Sequence, residues 1–440
     1  MRSVRGGAPR WGAVRLAAGV PLLAAALVLA GCGSTTGATP PPPPESASPA
    51  STAGSLEATL TPVVNQAMSQ LQVPGAIVYV SVPGQAPWQA ALGVADLATR
   101  APMDVADHMR IGSITKTFTA TVVLQLAGEG KLSLDDPASK YAPGAPTNGA
   151  TVRQLLNMTS GIFDYTNDAQ FAAGVSANPT RVWTTKELLD LAGSHQPLFA
   201  PGKDIHYTNT NYILLGVIAE KVGGAPIEQL IQTRIITPLA LRGCSYPPTS
   251  PAIPDPHPQG YPYGPAGGTL SGTPTHEASD QPPNNVTAIS PSMAGAAGAM
   301  ICTVDDLRIW TKALATGQLL TPAMQQQRLV GRDLDASGLA KYGLGILMFS
   351  GFLGHNGQIP GFQSYAVYDP SADTTVIVLV NLAASANGSA PADAIASAII
   401  KTLRGTSSPS PSPSPSLSPS PAPAPSSTST PTASPSATPG

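Results

Sequence analysis

Runs rich in β-branched residues stand near both ends of the foldable part of this chain, and a long stretch of helical spacing separates them. Ala76-Ile77-Val78-Tyr79-Val80-Ser81-Val82 reads as a strand, and residues 88–93 can pair with it. Strand patterns return late, over 342–349, 361–368 and 374–382, before a last helix over 392–403. One helix, 56–71, precedes the first strand. Between the two sets, helices are predicted from Ser113 to Ala127 and over 151–156, 185–192 and 211–222. The first of these is apolar on most faces and is expected to be buried. Residues 247–291 are rich in Pro and Gly and read as a long surface loop. The fold class this order predicts is α+β. An antiparallel β-sheet is built from both chain ends and flanked by helices, with an inserted helical subdomain and a cleft between the two.

Not all 440 residues can fold. Arg2, Arg5, Arg10 and Arg15 lead into an apolar stretch, 16–30, that ends in Leu29-Ala30-Gly31-Cys32. The run is short for a membrane span and closes on small residues, as a cleaved export signal does. Its last four residues resemble a bacterial lipobox, whose cysteine is lipidated and becomes the new N-terminus. Residues 1–31 are therefore expected to be a lipoprotein signal peptide and Cys32 a stable anchor, since several acyl chains hold where one does not. Residues 32–55 contain the proline run 40–44 and are expected to be a disordered linker. Extended at ~3.1 Å per residue, it reaches roughly 70 Å. Residues 405–440 repeat Ser-Pro and Ala-Pro, with too little apolar surface to offset the entropy of ordering. The globular domain is thus 56–404, one large domain or two subdomains sharing a cleft. The expected location is the cell envelope, outside the cytoplasm and lipid-anchored to the cell membrane.

The formal net charge is −2 and only 11% of residues are charged. No Lys/Arg run lies in the globular part, so no nucleic-acid partner is expected. Cys32, Cys244 and Cys302 form no CxxC pair, so neither a zinc nor a dithiol site has support; no metal or cofactor is expected. After export Cys244 and Cys302 can form a disulfide. As two buried free thiols they would serve packing alone, and the sequence does not decide between these.

Three short motifs carry chemistry. The first is Ser113-Ile114-Thr115-Lys116. Residues three apart on a helix share a face, so the lysine can reach the serine hydroxyl. A free serine hydroxyl is a poor nucleophile and needs a base. Burial lowers a lysine pKa, which lets the neutral amine take the proton. The second is Tyr207-Thr208-Asn209: a phenol relays protons, and an amide binds substrate and orients the lysine. Tyr165-Thr166-Asn167 repeats the pattern, but the later copy follows Pro201-Gly202 and leads into a clear helix, so it is preferred. The third is His355-Asn356-Gly357, after a turn at Gly351. Its glycine lets a ligand approach a strand closely, and its histidine can offer a positive or hydrogen-bonding edge to a carboxylate. The other histidines, 108, 195, 206, 257 and 276, lack such context and read as surface or structural residues.

Together the motifs resemble the serine β-lactamase/penicillin-binding-protein superfamily, in its class C-like branch with a tyrosine second motif and a histidine third motif. Further segments carry the resemblance: Met109-Arg110-Ile111-Gly112, Leu132-Ser133-Leu134-Asp135-Asp136-Pro137, Leu155-Leu156-Asn157-Met158-Thr159-Ser160-Gly161, and Ala297-Gly298-Ala299-Met300 leading to Asp305-Asp306-Leu307. The branch includes β-lactamases, esterases and D-alanyl-D-alanine carboxypeptidases, and the chain looks most like the last. The resemblance implies that Ser113 attacks the carbonyl and forms an acyl-enzyme. Lys116 would be the base or would tune Tyr207, and Tyr207 would protonate the leaving group. Asn209 would hold the substrate amide, and His355, beside Gly357, would help bind its carboxylate. The backbone N–H groups of Ser113 and Gln358 would form the oxyanion hole. The implied partners are a peptidoglycan stem peptide, a β-lactam or a small ester. Some carboxypeptidase relatives carry an arginine on the strand before the third motif. This chain has Gly345-Ile346-Leu347-Met348-Phe349 there, with no cation, which leaves room for ester substrates. No glutamate is placed by motif to activate a deacylating water, which argues against efficient β-lactam turnover.

Overall fold

The computed structural model describes residues 55–270, 282–334 and 337–405. The expected signal peptide, Cys32, nearly all of the linker and tail, and His276 lie outside the described residues. Among the described residues there are ten strands: β1 (Gly75–Ser81), β2 (Trp88–Gly93), β3 (Met109–Arg110), β4 (Ile301–Cys302), β5 (Arg332–Asp333), β6 (Ala340–Tyr342), β7 (Leu347–Phe349), β8 (Phe352–Ile359), β9 (Phe362–Asp369) and β10 (Thr374–Val380). The helices are α1 (Leu56–Leu71), α2 (Thr115–Gly128), α3 (Val152–Leu156), α4 (Ala169–Ala177), α5 (Thr185–Gly193), α6 (Asn209–Gly223), α7 (Ile227–Ile231), α8 (Thr237–Leu239), α9 (Gly295–Gly298), α10 (Val304–Thr316), α11 (Pro322–Arg328) and α12 (Pro391–Arg404).

Eight strands form one antiparallel sheet in the order β2-β1-β10-β9-β8-β7-β6-β5, and β3 pairs with β4. The sheet thus joins the early strands to the late ones, as the segment order predicts. Its central strand shows why. In β10, Val376, Val378 and Val380 enter one core while Ile377 and Leu379 enter the other. Both faces are buried, so the strand reads as an unbroken apolar run. One core packs α1 and α12 on the sheet through Leu60, Val64, Ile395 and Ile399. Each such side chain gains about 1.5–3 kcal/mol on burial. The other core includes α2 and α6 and extends through the helical region. Helix α2 is buried on nearly every face, and its Phe118 stacks on Trp310 with ring centroids 4.0 Å apart.

The structure corrects two readings. The strand expected over 342–349 is two strands. Gly343 N–H bonds Ile346 O, Leu344 N–H bonds Arg328 O, and Gly345 turns at φ +72°. A Cβ on Gly345 would lie 2.2 Å from that of Ala120 on α2, so the turn packs where no side chain fits. The expected surface loop is partly interior. Tyr261 is buried, bridges Leu382 in parallel, and bonds Leu97 N and Asp96 through its hydroxyl. Helices α4 and α10 are additions to the sequence reading; Asp168 and Thr303 cap them.

Candidate active site

Ser113 sits in a single 3₁₀ turn, Gly112–Ile114, that opens directly into α2. It is the one partly exposed residue in a stretch buried from Met109 to Leu124. Gly112 turns at φ +49°, and a Cβ there would lie 2.7 Å from Gln358 N. Strand β8 is as close on the other side: a Cβ on Gly357 would lie 2.1 Å from Ile111 O and 3.0 Å from Ser113 N. Ser364 Oγ fastens this junction by donating to Ile111 O at 2.8 Å. The two glycines bring the backbone amides of Ser113 and Gln358 to adjacent positions, the places required for two oxyanion donors.

Lys116 is fully buried. Its Nζ lies 3.0 Å from Ser113 Oγ, 2.7 Å from Asn209 Oδ1 and 2.9 Å from Ala297 O. The last two are acceptors only. They use both N–H groups of a neutral amine and leave its lone pair facing the serine hydroxyl. Burial lowers the Lys116 pKa to about 7, against the opposing pull of the Asp164 carboxylate. Lys116 Nζ also lies 4.9 Å from the centroid of the Tyr207 ring. The Tyr207 hydroxyl is buried and makes no well-formed hydrogen bond, though Ser113 is near enough to act on its acidity. Burial dominates and holds the phenol well above its ordinary pKa, so it is protonated. An unpartnered buried donor beside a nucleophile is costly at rest and can serve a leaving group.

Asn209 opens α6, which Thr208 caps. Its amide is turned inward: Nδ2 donates to Asp164 Oδ2 at 3.0 Å and Thr166 Oγ1 at 3.2 Å. The expected substrate contact of Asn209 is therefore joined by a structural one. The repeated Tyr-Thr-Asn pattern is also resolved. Tyr165 is buried and donates to Met293 O, outside the serine–lysine constellation, while its neighbours Asp164 and Thr166 back Asn209. Sequence reasoning missed both neighbours, although the discarded repeat pointed to them.

His355 differs from expectation. It lies on β8 at 1% exposure. Its Nε2 is 3.0 Å from Tyr342 Oη, and Nδ1 contacts Asn356 O. A carbonyl only accepts, so Nδ1 carries the proton and Nε2 accepts from the phenol. Burial drives the His355 pKa down to about 3. Without a ligand beside it the ring is therefore neutral near pH 7 and presents a hydrogen-bonding edge instead of a positive one. Tyr342, a further residue the motifs did not reveal, holds it there.

Cys244 and Cys302 are bonded to each other. Cys302 lies on β4, whose partner β3 runs directly into the nucleophile turn. Among the described residues no cluster of three metal-ligating side chains occurs, and no helix is long and apolar enough to cross a membrane.

Comparison with known proteins places the fold in a family. The Beta-lactamase family profile matches residues 60–399. A D-stereospecific amidohydrolase from Streptomyces sp. is 35% identical, with a TM-score of 0.64 over 73% of this chain and 94% of that one. D-amino acid amidase from Ochrobactrum anthropi shares the fold at 23% identity, with a TM-score of 0.68 over 79% of this chain and 98% of that one. Among curated relatives, a Beta-lactamase of Escherichia coli (strain K12) is 32% identical over 42% of this chain and 45% of that protein. A D-aminopeptidase of Brucella anthropi is 33% identical over 38% of this chain and 32% of that protein. The alignments span less than two thirds of these curated relatives' lengths. The match over most of the globular chain, on a sheet-and-helix fold of the same type, makes this protein a member of the serine β-lactamase/penicillin-binding-protein superfamily of hydrolases.

Proposed function

We infer that the protein hydrolyses amide bonds in peptides of the D-alanyl-D-alanine type through an acyl-enzyme on Ser113. The observation that carries this reading is the contact set of Lys116. Burial lowers the Lys116 pKa to about 7, and two fixed acceptors aim its amine at the Ser113 hydroxyl. Lys116 takes the serine proton as Ser113 Oγ bonds the carbonyl carbon. The amides of Ser113 and Gln358 stabilise the oxyanion; Tyr207 gives its proton to the departing amine and recovers one from the Lys116 ammonium. Water then releases the acid. The D-configuration is supported by the names of the relatives, an amidohydrolase specific for D-residues and a D-aminopeptidase. The lipobox-like Cys32 suits a cell-envelope enzyme anchored to the membrane beside peptidoglycan.

One observation favours a second reading of the leaving group. His355 is neutral and β7 carries no cation, so the site is better suited to an uncharged amide or ester than to a terminal carboxylate. The experiment assays a D-alanyl-D-alanine peptide, a D-alanine amide, a short nitrophenyl ester and a cephalosporin in parallel. Ser113→Ala should lose about 1,000-fold or more in kcat on each substrate turned over. Turnover that persists in that variant would sink the acyl-enzyme mechanism. Selective turnover of amide and ester over the free dipeptide would assign the second reading. Penicillin labelling of Ser113 without turnover of any substrate would leave a binding protein.

A further inference from the structure

Asp164 lies in the loop before the repeated Tyr-Thr-Asn pattern and is 2% exposed. Its Oδ1 accepts from Thr166 N at 3.1 Å, and its Oδ2 accepts from Asn209 N at 3.1 Å and Asn209 Nδ2 at 3.0 Å. A carboxylate only accepts. Were the Asn209 amide flipped, its Oδ1 would face this carboxylate and its Nδ2 would face Lys116 Nζ, losing a hydrogen bond at both ends. Thr166 Oγ1 adds a second acceptor to Asn209 Nδ2 at 3.2 Å.

We propose that Asp164 is a positioning residue for acylation: through Asn209 it holds the amine of Lys116 against the hydroxyl of Ser113. The chain of contacts is unbroken, from the Asp164 carboxylate to Asn209 Nδ2, across that amide to Oδ1, to Lys116 Nζ 2.7 Å away, and on to Ser113 Oγ at 3.0 Å. Asp164 touches no position where a substrate atom reacts, so its effect is on geometry and field.

The field acts in a defined direction. Asp164 raises the Lys116 pKa against burial. The other titratable groups facing this pair are Tyr207, Tyr212 of α6, Tyr165, His206 and His355 of β8. Burial holds the three phenols protonated and pushes both histidines toward the neutral form. Burial raises the Asp164 pKa as well, opposed by its hydrogen bonds from Asn209 and Thr166 and by the charge of Lys116; when ionised, Asp164 is the anion in the set. Removing its charge lowers the Lys116 pKa further and moves the acid limb of the rate profile to lower pH.

This inference rests on the acyl-enzyme reading of Ser113, and the experiment separates the two. The full chain and its Asp164→Asn, Thr166→Val and Ser113→Ala variants are assayed on a nitrophenyl ester and a D-alanine amide from about pH 5 to about 9. Asp164→Asn, able to donate as well as accept, permits the flipped Asn209. Its kcat should fall about 100-fold with KM changed less than roughly threefold, and its acid limb should move to lower pH. Thr166→Val removes one acceptor and no charge. Its kcat should fall severalfold with the acid limb unmoved. A folded Asp164→Asn with wild-type kcat and an unmoved acid limb overturns the proposal. If circular dichroism shows that Asp164→Asn does not fold, Thr166→Val decides, and a wild-type kcat there overturns it. Turnover surviving in Ser113→Ala overturns the acyl-enzyme reading instead.

Discussion

At the scale of single residues, burial sets protonation at this site. Lys116 needs its free base to act, and its pKa is lowered to about 7. The sign follows: kcat/KM should climb as pH rises through the neutral range and reach a plateau once the amine is neutral, and a pH–rate series checks this. A profile flat between about pH 5 and 9 would remove Lys116 as the base. Asp393 shows the same physics away from the nucleophile. Its Oδ2 accepts from Asn356 Nδ2 at 2.9 Å, its Oδ1 has no partner, and burial raises its pKa to about 7. The native state therefore binds this proton more tightly than the unfolded chain. The stability this gives is complete below about pH 4 and is lost as pH rises toward 7. Asp393→Asn, which carries no charge to bury, should stabilise the fold at pH 8 by an amount on the order of 2–4 kcal/mol, seen as a higher Tm, and should change Tm little near pH 4, as read by thermal melts in two buffers.

At the scale of elements, the site is the seam where the nucleophile turn meets β8. Motif spacing predicts Ser113 and Lys116 on one helical face, and it predicts a glycine at a close approach. It does not say what approaches. The structure shows the carbonyl of Ile111 and the amide of Ser113 within reach of a Cβ on Gly357. Gly357→Ala should push β8 off the turn and open the oxyanion site. An activity loss of about 100-fold or more is expected even where the variant folds, checked by kcat with a melt alongside. The helices announced by caps and periodicity, such as α1, α5 and α12, were legible as sequence because local rules set them. The break between β6 and β7 was not, because Gly345 turns to fit Ala120 of a helix far away in the chain.

At the scale of the whole molecule, the late strands pair with the early ones in one sheet, and a disulfide ties Cys244, after α8, to β4 beside the nucleophile seam. Cys244 and Cys302 are 58 residues apart in sequence. Closing a loop of that length in the unfolded chain stabilises the native state by about 4 kcal/mol. Cys244→Ser/Cys302→Ser, or reduction of the native protein, should lower Tm by several degrees, measured by calorimetry with and without reductant. An unchanged Tm would mean that packing around β4 alone sustains the seam.

The sequence by itself determined the antiparallel α+β architecture and the spacing of Ser113 and Lys116 along the chain, and it gave grounds to prefer Tyr207 over Tyr165. Those follow from periodicity, turn chemistry and short spacing, which act over a few residues. Tertiary structure decided that Asp164 and Thr166 stand behind Asn209, that His355 is buried against Tyr342, and that Cys244 meets Cys302. Each depends on side chains distant in sequence sharing one dry interior, where the loss of water rather than the identity of the residue fixes hydrogen bonding and charge.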